Sequence, residues 1–137
     1  MSLQRFFSTK SVSGSYASLG LLILRIAAGA MMLTHGMNKL SNFSSMSQSF
    51  DPIGMGGPLS LSLVIFAEVF CSIAIIFGLF TKLAALPLVV AMCVAAFVAH
   101  AGDPLAAKEL ALLYLAVFAA LLITGPGRYS IDKMIWK

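Results

Sequence analysis

The chain has 137 residues, of which 60% are hydrophobic and only 10% charged, and its formal net charge is +4. Soluble domains run about 45–50% apolar and about 25% charged, so a water-soluble fold is excluded: the charges are too few to cover that much apolar surface, whereas a bilayer solvates it directly. The length allows one domain, and the positive residues lie in short segments between apolar runs, a pattern that orients a membrane protein rather than building a nucleic-acid surface.

Residues 1–17 read as a flexible or interfacial arm, with Arg5, Lys10 and serines throughout. A signal peptide is the competing reading, but Arg25 interrupts the apolar stretch and no small-x-small cleavage site follows. Residues 18–137 read as one all-α bundle of four transmembrane helices. Its spans are expected at about 18–37, 59–80, 83–101 and 104–124, each near the ~20 residues that cross a hydrocarbon core. The second connection is expected to be only Thr81 and Lys82, which forces spans two and three into a tight antiparallel hairpin. Pro87 is expected near the first turn of span three, where a missing N–H costs least. Asp103 followed by Pro104 predicts a helix start, with Asp as N-cap and Pro at the first helical position. Gly125-Pro126-Gly127 ends span four.

The connection from Asn38 to Pro58 is serine-rich yet carries Phe43, Met46 and Phe50 at helical spacing. It predicts an amphipathic segment over the outer mouth of the bundle, with a disordered loop as the alternative. The arm, the Thr81–Lys82 turn and the tail hold Arg5, Lys10, Lys82, Arg128, Lys133 and Lys137, against Lys39 and Lys108 on the other side. That bias puts both termini in the cytoplasm. Trp136 and Tyr129 read as interfacial anchors. Cys71 and Cys93 lie inside apolar runs without a Cys-x-x-Cys arrangement, and read as small buried residues.

Ionisable groups inside a span are costly and mark sites. Arg25 in span one and Glu68 in span two are expected at similar depth and as an ion pair, either locking two helices or forming part of a functional site. The face carrying Arg25 continues through His35 to Lys39. His100 ends span three, and Glu109 lies in the second turn of span four beside Lys108. His35, Lys39, His100 and Glu109 therefore collect in the outer half, with Arg25 and Glu68 beneath them. Against this, Lys39 and Lys108 can snorkel to headgroups, and His100 can be a boundary residue.

At these residues the sequence resembles the DoxX family of small bacterial membrane proteins. The matching elements are Arg25, His35-Gly36-x-x-Lys39-Leu40, Ala67-Glu68, Gly78-Leu79-Phe80-Thr81-Lys82, His100 and Gly125-Pro126-Gly127-Arg128-Tyr129-Ser130-x-Asp132. The likeness covers about Leu19 to Asp132, with Lys82 in place of the usual Arg. It implies a four-helix bundle in the bacterial inner membrane and a bias toward quinone-linked redox chemistry, since the family takes its name from a subunit linked to quinol oxidation or thiosulfate:quinone oxidoreduction.

The leading expectation is a membrane oxidoreductase, or the membrane subunit of one, using a quinone. His35 would exchange protons, Arg25 would stabilise developing negative charge, and Glu68 would orient Arg25 or relay protons. Lys39, His100 and Glu109 would bind the substrate. No flavin motif is present, so a soluble or membrane redox partner, or a reducing anion such as thiosulfate, would complete the cycle. The alternatives are a small-anion or lipid binding or transport protein, which implies a homo-oligomer or a partner, and a structural subunit of a membrane complex. Haem ligation by the two histidines and a metal held by His35, His100 and a glutamate are weighed below these.

Overall fold

The structure is a computed structural model that describes residues 14–136. Its helices are Ser15–Ser41 (α1), Phe43–Met46 (α2), Gly57–Phe77 (α3), Thr81–Ala99 (α4), Leu105–Thr124 (α5) and Ile131–Ile135 (α6). There is no strand among the described residues. Four of the helices, α1, α3, α4 and α5, are long and apolar enough to cross a membrane. They alternate up and down, so that the Asn42–Gly56 and His100–Pro104 connections share one end, here called the mouth. Gly14, the Gly78–Phe80 turn and the C-terminal segment share the other. Arg5, Lys10 and Lys137 lie outside the described residues, as does most of the expected arm, and Ser15 onward is already helical.

Helices apolar around most of their circumference cannot all be satisfied by one another in so small a bundle, and the surplus faces outward. Leu113 is 62% exposed and Ile123 77%, surfaces suited to lipid tails. The interior is a continuous cluster that includes Met32, Ile75, Leu88, Phe118 and Leu121, each essentially without exposure. Cys71 belongs to this cluster, while Cys93 is half-buried, and both are free thiols.

Helix α1 approaches α3 closely because Gly29 and Gly36 face it, seven residues apart on one stripe. A Cβ at Gly36 would fall 2.7 Å from Val69 Cγ2 and 2.9 Å from Glu68 Cβ. Small residues at such crossings let backbones meet where lipid supplies no hydrophobic drive. The small-residue run Ala27–Ala30 thus has a definite partner, which periodicity alone does not name.

Arg25 holds the opposite end together. Its guanidinium, 1% exposed, donates from Nε to Ile75 O (3.0 Å), from Nη2 to Ile76 O (2.9 Å) and from Nη1 to Pro126 O (3.1 Å) and Tyr129 O (2.8 Å). Ile75 and Ile76 are in the last turn of α3, where carbonyls lack intrahelical partners and the helix dipole favours a cation. Gly78, at φ +67, ends α3 in a Schellman arrangement, with Leu79 N–H donating to Ala74 O and Gly78 N–H to Ile75 O. It packs flat against the guanidinium: a Cβ there would sit 2.8 Å from Nη2. Asp132, 2% exposed, accepts from Phe80 N–H (2.6 Å) and Thr81 N–H (2.8 Å), capping the start of α4. Its own N–H donates to Gly78 O, and its charge acts on Arg25. The terminal motif is therefore a clasp over the α3–α4 turn.

Several local expectations change. The expected Arg25–Glu68 pair does not form: Arg25 serves the clasp, because the last-turn carbonyls of α3 and the Pro126 and Tyr129 carbonyls surround it. Thr81 and Lys82 are not the connection but the first turn of α4, and Gly78–Phe80 makes the turn. Pro87 lies beyond the first turn, inside the helix. Asp103 does not cap α5. Pro104 occupies the cap position, and the Asp103 carboxylate is taken by His100 Nδ1 at 2.8 Å.

Arg25→Gln should lower stability by about 3–5 kcal/mol, the range for breaking a buried charged network. In detergent its unfolding temperature should fall, and trypsin should cut after Arg128 faster than in the wild type. Equal melting and equal resistance would show that the guanidinium is not the lock.

Candidate functional site

At the mouth, the residues that hold the site come from all four long helices. Lys39 is three residues past Gly36, so the close α1–α3 crossing delivers its Nζ to Glu68. The distances are 2.7 Å to Oε2 and 2.9 Å to Oε1. The Glu68 side chain is 5% exposed and that of Lys39 19%, so the pair is largely withdrawn from solvent. A charge at that depth is tolerated because its partner is fixed beside it.

The pair forms the base of a cavity of about 210 Å³. Its walls include His35 from α1, Ala95 from α4, His100 at the end of α4, and Leu110 and Tyr114 from α5. The ring of His35 meets that of Tyr114 edge-on at 5.9 Å, and Tyr114 stacks on Phe118 at 5.9 Å. His100 sits at the rim and pairs with Asp103. A second cavity of about 170 Å³ lies beside the first and shares Lys39, Glu68 and His100 with it. Its further wall is Phe50 and Pro52 of the connecting segment. That segment is not a free loop: Phe43, Met46 and Phe50 pack on Leu61, Ile65 and Val69 of α3. Asp51 anchors it by accepting from Ser60 Oγ (2.8 Å) and Gly56 N–H (3.1 Å).

Both helices that meet at the cavities widen there into a π turn. In α3 the turn is Phe66–Cys71, which carries Glu68, and in α4 it is Ala95–Ala99, which ends at His100. Such turns concentrate at functional sites, because the extra residue re-aims side chains that regular helix would point elsewhere.

Of the residues expected at the site, the structure brings together His35, Lys39, Glu68 and His100. Arg25 is away from it, in the clasp. Glu109 is also away: it is exposed, and α5 presents Ala107, Leu110, Ala111 and Tyr114 to the cavity instead. Lys108 likewise lines neither cavity. Tyr114 is the residue that sequence reasoning missed. The available signal was a hydroxyl in the apolar middle of the span, on the face reached four residues after Leu110. Among the described residues, no three His, Cys, Asp or Glu side chains cluster to hold a metal ion.

The site is chemically balanced. Lys39 and Glu68 neutralise each other, and Lys39 keeps one N–H donor beyond the two given to the carboxylate. The cavity thus offers donors, acceptors and an aromatic wall without a net charge at its base. At about 210 Å³ it is below the ~300–1,000 Å³ usual for whole small-molecule ligands, so it accommodates a ring-sized group rather than a large ligand.

Comparison with known proteins gives a consistent result. The sequence model of the DoxX family matches residues 20–101, more than half of the chain and including Arg25, His35, Lys39, Glu68 and His100. The chain is 32% identical over 123 residues to the Inner membrane protein YqjF of Escherichia coli (strain K12), covering 87% of this chain and 94% of that one. It is 33% identical over 129 residues to an uncharacterized protein of Haemophilus influenzae, covering 89% of this chain and 95% of that one. No solved structure matches the chain.

Lys39→Met should leave the Glu68 carboxylate buried and alone, at a cost of about 3–5 kcal/mol. The double variant Lys39→Met/Glu68→Leu should recover most of that stability, since an apolar pair of similar volume replaces the ions. Thermal unfolding of the purified variants in one detergent checks both. A double variant no better than the single would show that the pair is not isolated from its surroundings.

Proposed function

The chain belongs to the DoxX family, and on that premise we propose that it acts in quinone-linked redox chemistry, as an oxidoreductase or as the quinone-binding membrane subunit of one. It is a multi-pass protein of the bacterial inner membrane. The reading includes an orientation in which the mouth faces outward, supported by the bias of Lys82, Arg128 and Lys133 to the opposite end.

The observation that carries the proposal is the withdrawn Lys39–Glu68 pair at the base of a ring-sized cavity walled by His35, His100 and Tyr114. A quinone headgroup is neutral, flat and bears carbonyls that accept hydrogen bonds. Lys39 Nζ has a donor to offer such a carbonyl. Aromatic Tyr114 supplies a wall for a ring, and its hydroxyl adds a polar handle at the same depth. Glu68 holds Lys39 in place and is the base nearest the cavity. His35, at the wall, relays protons between the cavity and the outer solution. The electrons come from a partner protein or a reducing anion. Arg25 takes no part in this chemistry; its role is to hold the clasp.

The neutrality of the site favours a quinone over a free inorganic anion as the bound species. A strong anion would meet Glu68 as well as Lys39, and the net attraction would largely cancel. Lipid binding is the alternative, since the seam between α3 and α4 carries an apolar groove that an acyl chain could also occupy.

The test is quinone reduction, or quinol oxidation, by the full-length protein in lipid, with and without thiosulfate. Glu68→Gln and His35→Ala should lower turnover per folded molecule by roughly a hundredfold, the usual scale for a lost proton-transfer group, with the folded fraction of each variant measured first because Glu68→Gln leaves Lys39 without its partner. Arg25→Lys should lower the melting temperature while the folded fraction keeps its turnover. Full turnover in Glu68→Gln would sink the proposal.

A further inference from the structure

An apolar groove runs along the seam between α3 and α4, about 450 Å³ in volume, and it opens away from the bundle core. Its rims are Leu63 and Phe66 on α3 and Leu86 and Val90 on α4, all four exposed at 46–55%. Its floor includes the small residues Ala67 and Ala91, whose missing bulk is what leaves the seam open. Pro87 lines it too, at a point where α4 lacks one backbone donor.

The groove is continuous with the polar site. Pro52, Val64, Ala91 and Val94 line both it and the cavity that carries Lys39, Glu68 and His100. At its other end, Phe66 and Pro87 are shared with a further apolar hollow of about 360 Å³ that reaches Phe80 and Leu83. From Val94 to Leu83 the seam extends roughly 17 Å at 1.5 Å per residue, about half of a ~30 Å hydrocarbon core.

We propose that this seam is the tail site of the quinone reading above, on which it rests. The prenyl tail of a membrane quinone lies along the α3–α4 groove while its ring sits at Lys39 and Glu68, so the substrate enters sideways from the bilayer and not through the mouth. Two features favour a tailed molecule with one uncharged ring. The polar cavity is too small for more than a headgroup, and the groove that leaves it is a single apolar channel at membrane depth. A phospholipid would have to place a charged phosphate and a second chain where neither has a counterpart. Roughly half the bilayer thickness of channel also means that the first part of the tail is held and the rest remains in lipid.

The experiment uses the full-length protein in nanodiscs with a long-chain ubiquinone analogue that carries a diazirine near the ring end of its tail. The result expected is labelling of Leu63, Phe66, Leu86 and Val90 at least tenfold above Leu113 and Ile123 on the lipid face of α5. Excess unlabelled long-chain quinone should suppress it tenfold, and excess phospholipid should not. Val90→Trp, or Leu86→Trp if the first melts early, should cut seam labelling at least fivefold, with Ala116→Trp on α5 as the neutral control. Even labelling around the bundle, displacement by phospholipid, or indifference to both seam substitutions would overturn the assignment. The redox reading fails separately: seam labelling as expected with no turnover under any donor, in purified protein and in membranes that retain its partners, would sink it and leave the tail site standing. Turnover retained with even labelling would sink the tail site alone.

Discussion

A single guanidinium organises the end of the bundle on which everything else is registered. Arg25 is carried into the apolar interior by the first helix, and there it closes the last turn of the third helix and the segment after the fifth. In water such a group would contribute little, because solvent competes for every donor. In a medium without water each unmet carbonyl costs several kcal/mol, so four carbonyls converging on one side chain is a strong constraint on how three chain segments meet. Asp132 adds the complementary half by capping the fourth helix from the same knot. With that end fixed, the two-glycine stripe on α1 sets the spacing to α3, and the spacing brings Lys39 to Glu68.

Much of this was legible in the chain. Four apolar runs of the right length, with polar connections between them, specify a four-span bundle from lipid physics alone. The cost of burying Glu68, Lys39 and His35 marks them as residues with a reason to be there, and the structure gathers them with His100. What the sequence did not disclose was pairing. Arg25 and Glu68 lie at comparable depth by residue counting, and opposite charges at one depth suggest a bridge. Counting does not show that Arg25 faces the last turn of α3, where backbone carbonyls compete for the same donors. Glu109 lies away from the cavity for a related reason, since one residue's rotation of 100° on α5 turns it outward. Tyr114 was overlooked because its charge state draws no attention, although a hydroxyl in mid-span carries the same information at lower cost.

The polar mouth and the lipid-facing seam adjoin through shared lining residues, Pro52, Val64, Ala91 and Val94. On the proposed reading, the ion pair and the aromatic wall would select a flat neutral head, whereas the seam would contribute apolar area without polar groups. A ligand held this way would gain affinity from tail burial and selectivity from the ring, and each could change without the other. The π turns in α3 and α4 matter here, because they lie where the two regions join and set the direction in which Glu68 and His100 point.

The clasp also constrains the order in which the protein can be made. The partners of Arg25 lie 50, 51, 101 and 104 residues farther along the chain. A helix leaving the insertion machinery with a bare arginine in its midst is a poor guest for lipid, and half of its hydrogen bonds wait for the segment synthesised after the last span. The first span therefore lacks half of its anchoring until the segment from Pro126 to Tyr129 emerges. Arg25 gains its full set of acceptors only after all four spans are in place, and a protein truncated before Pro126 would present the membrane's proteases with a cation missing half of them.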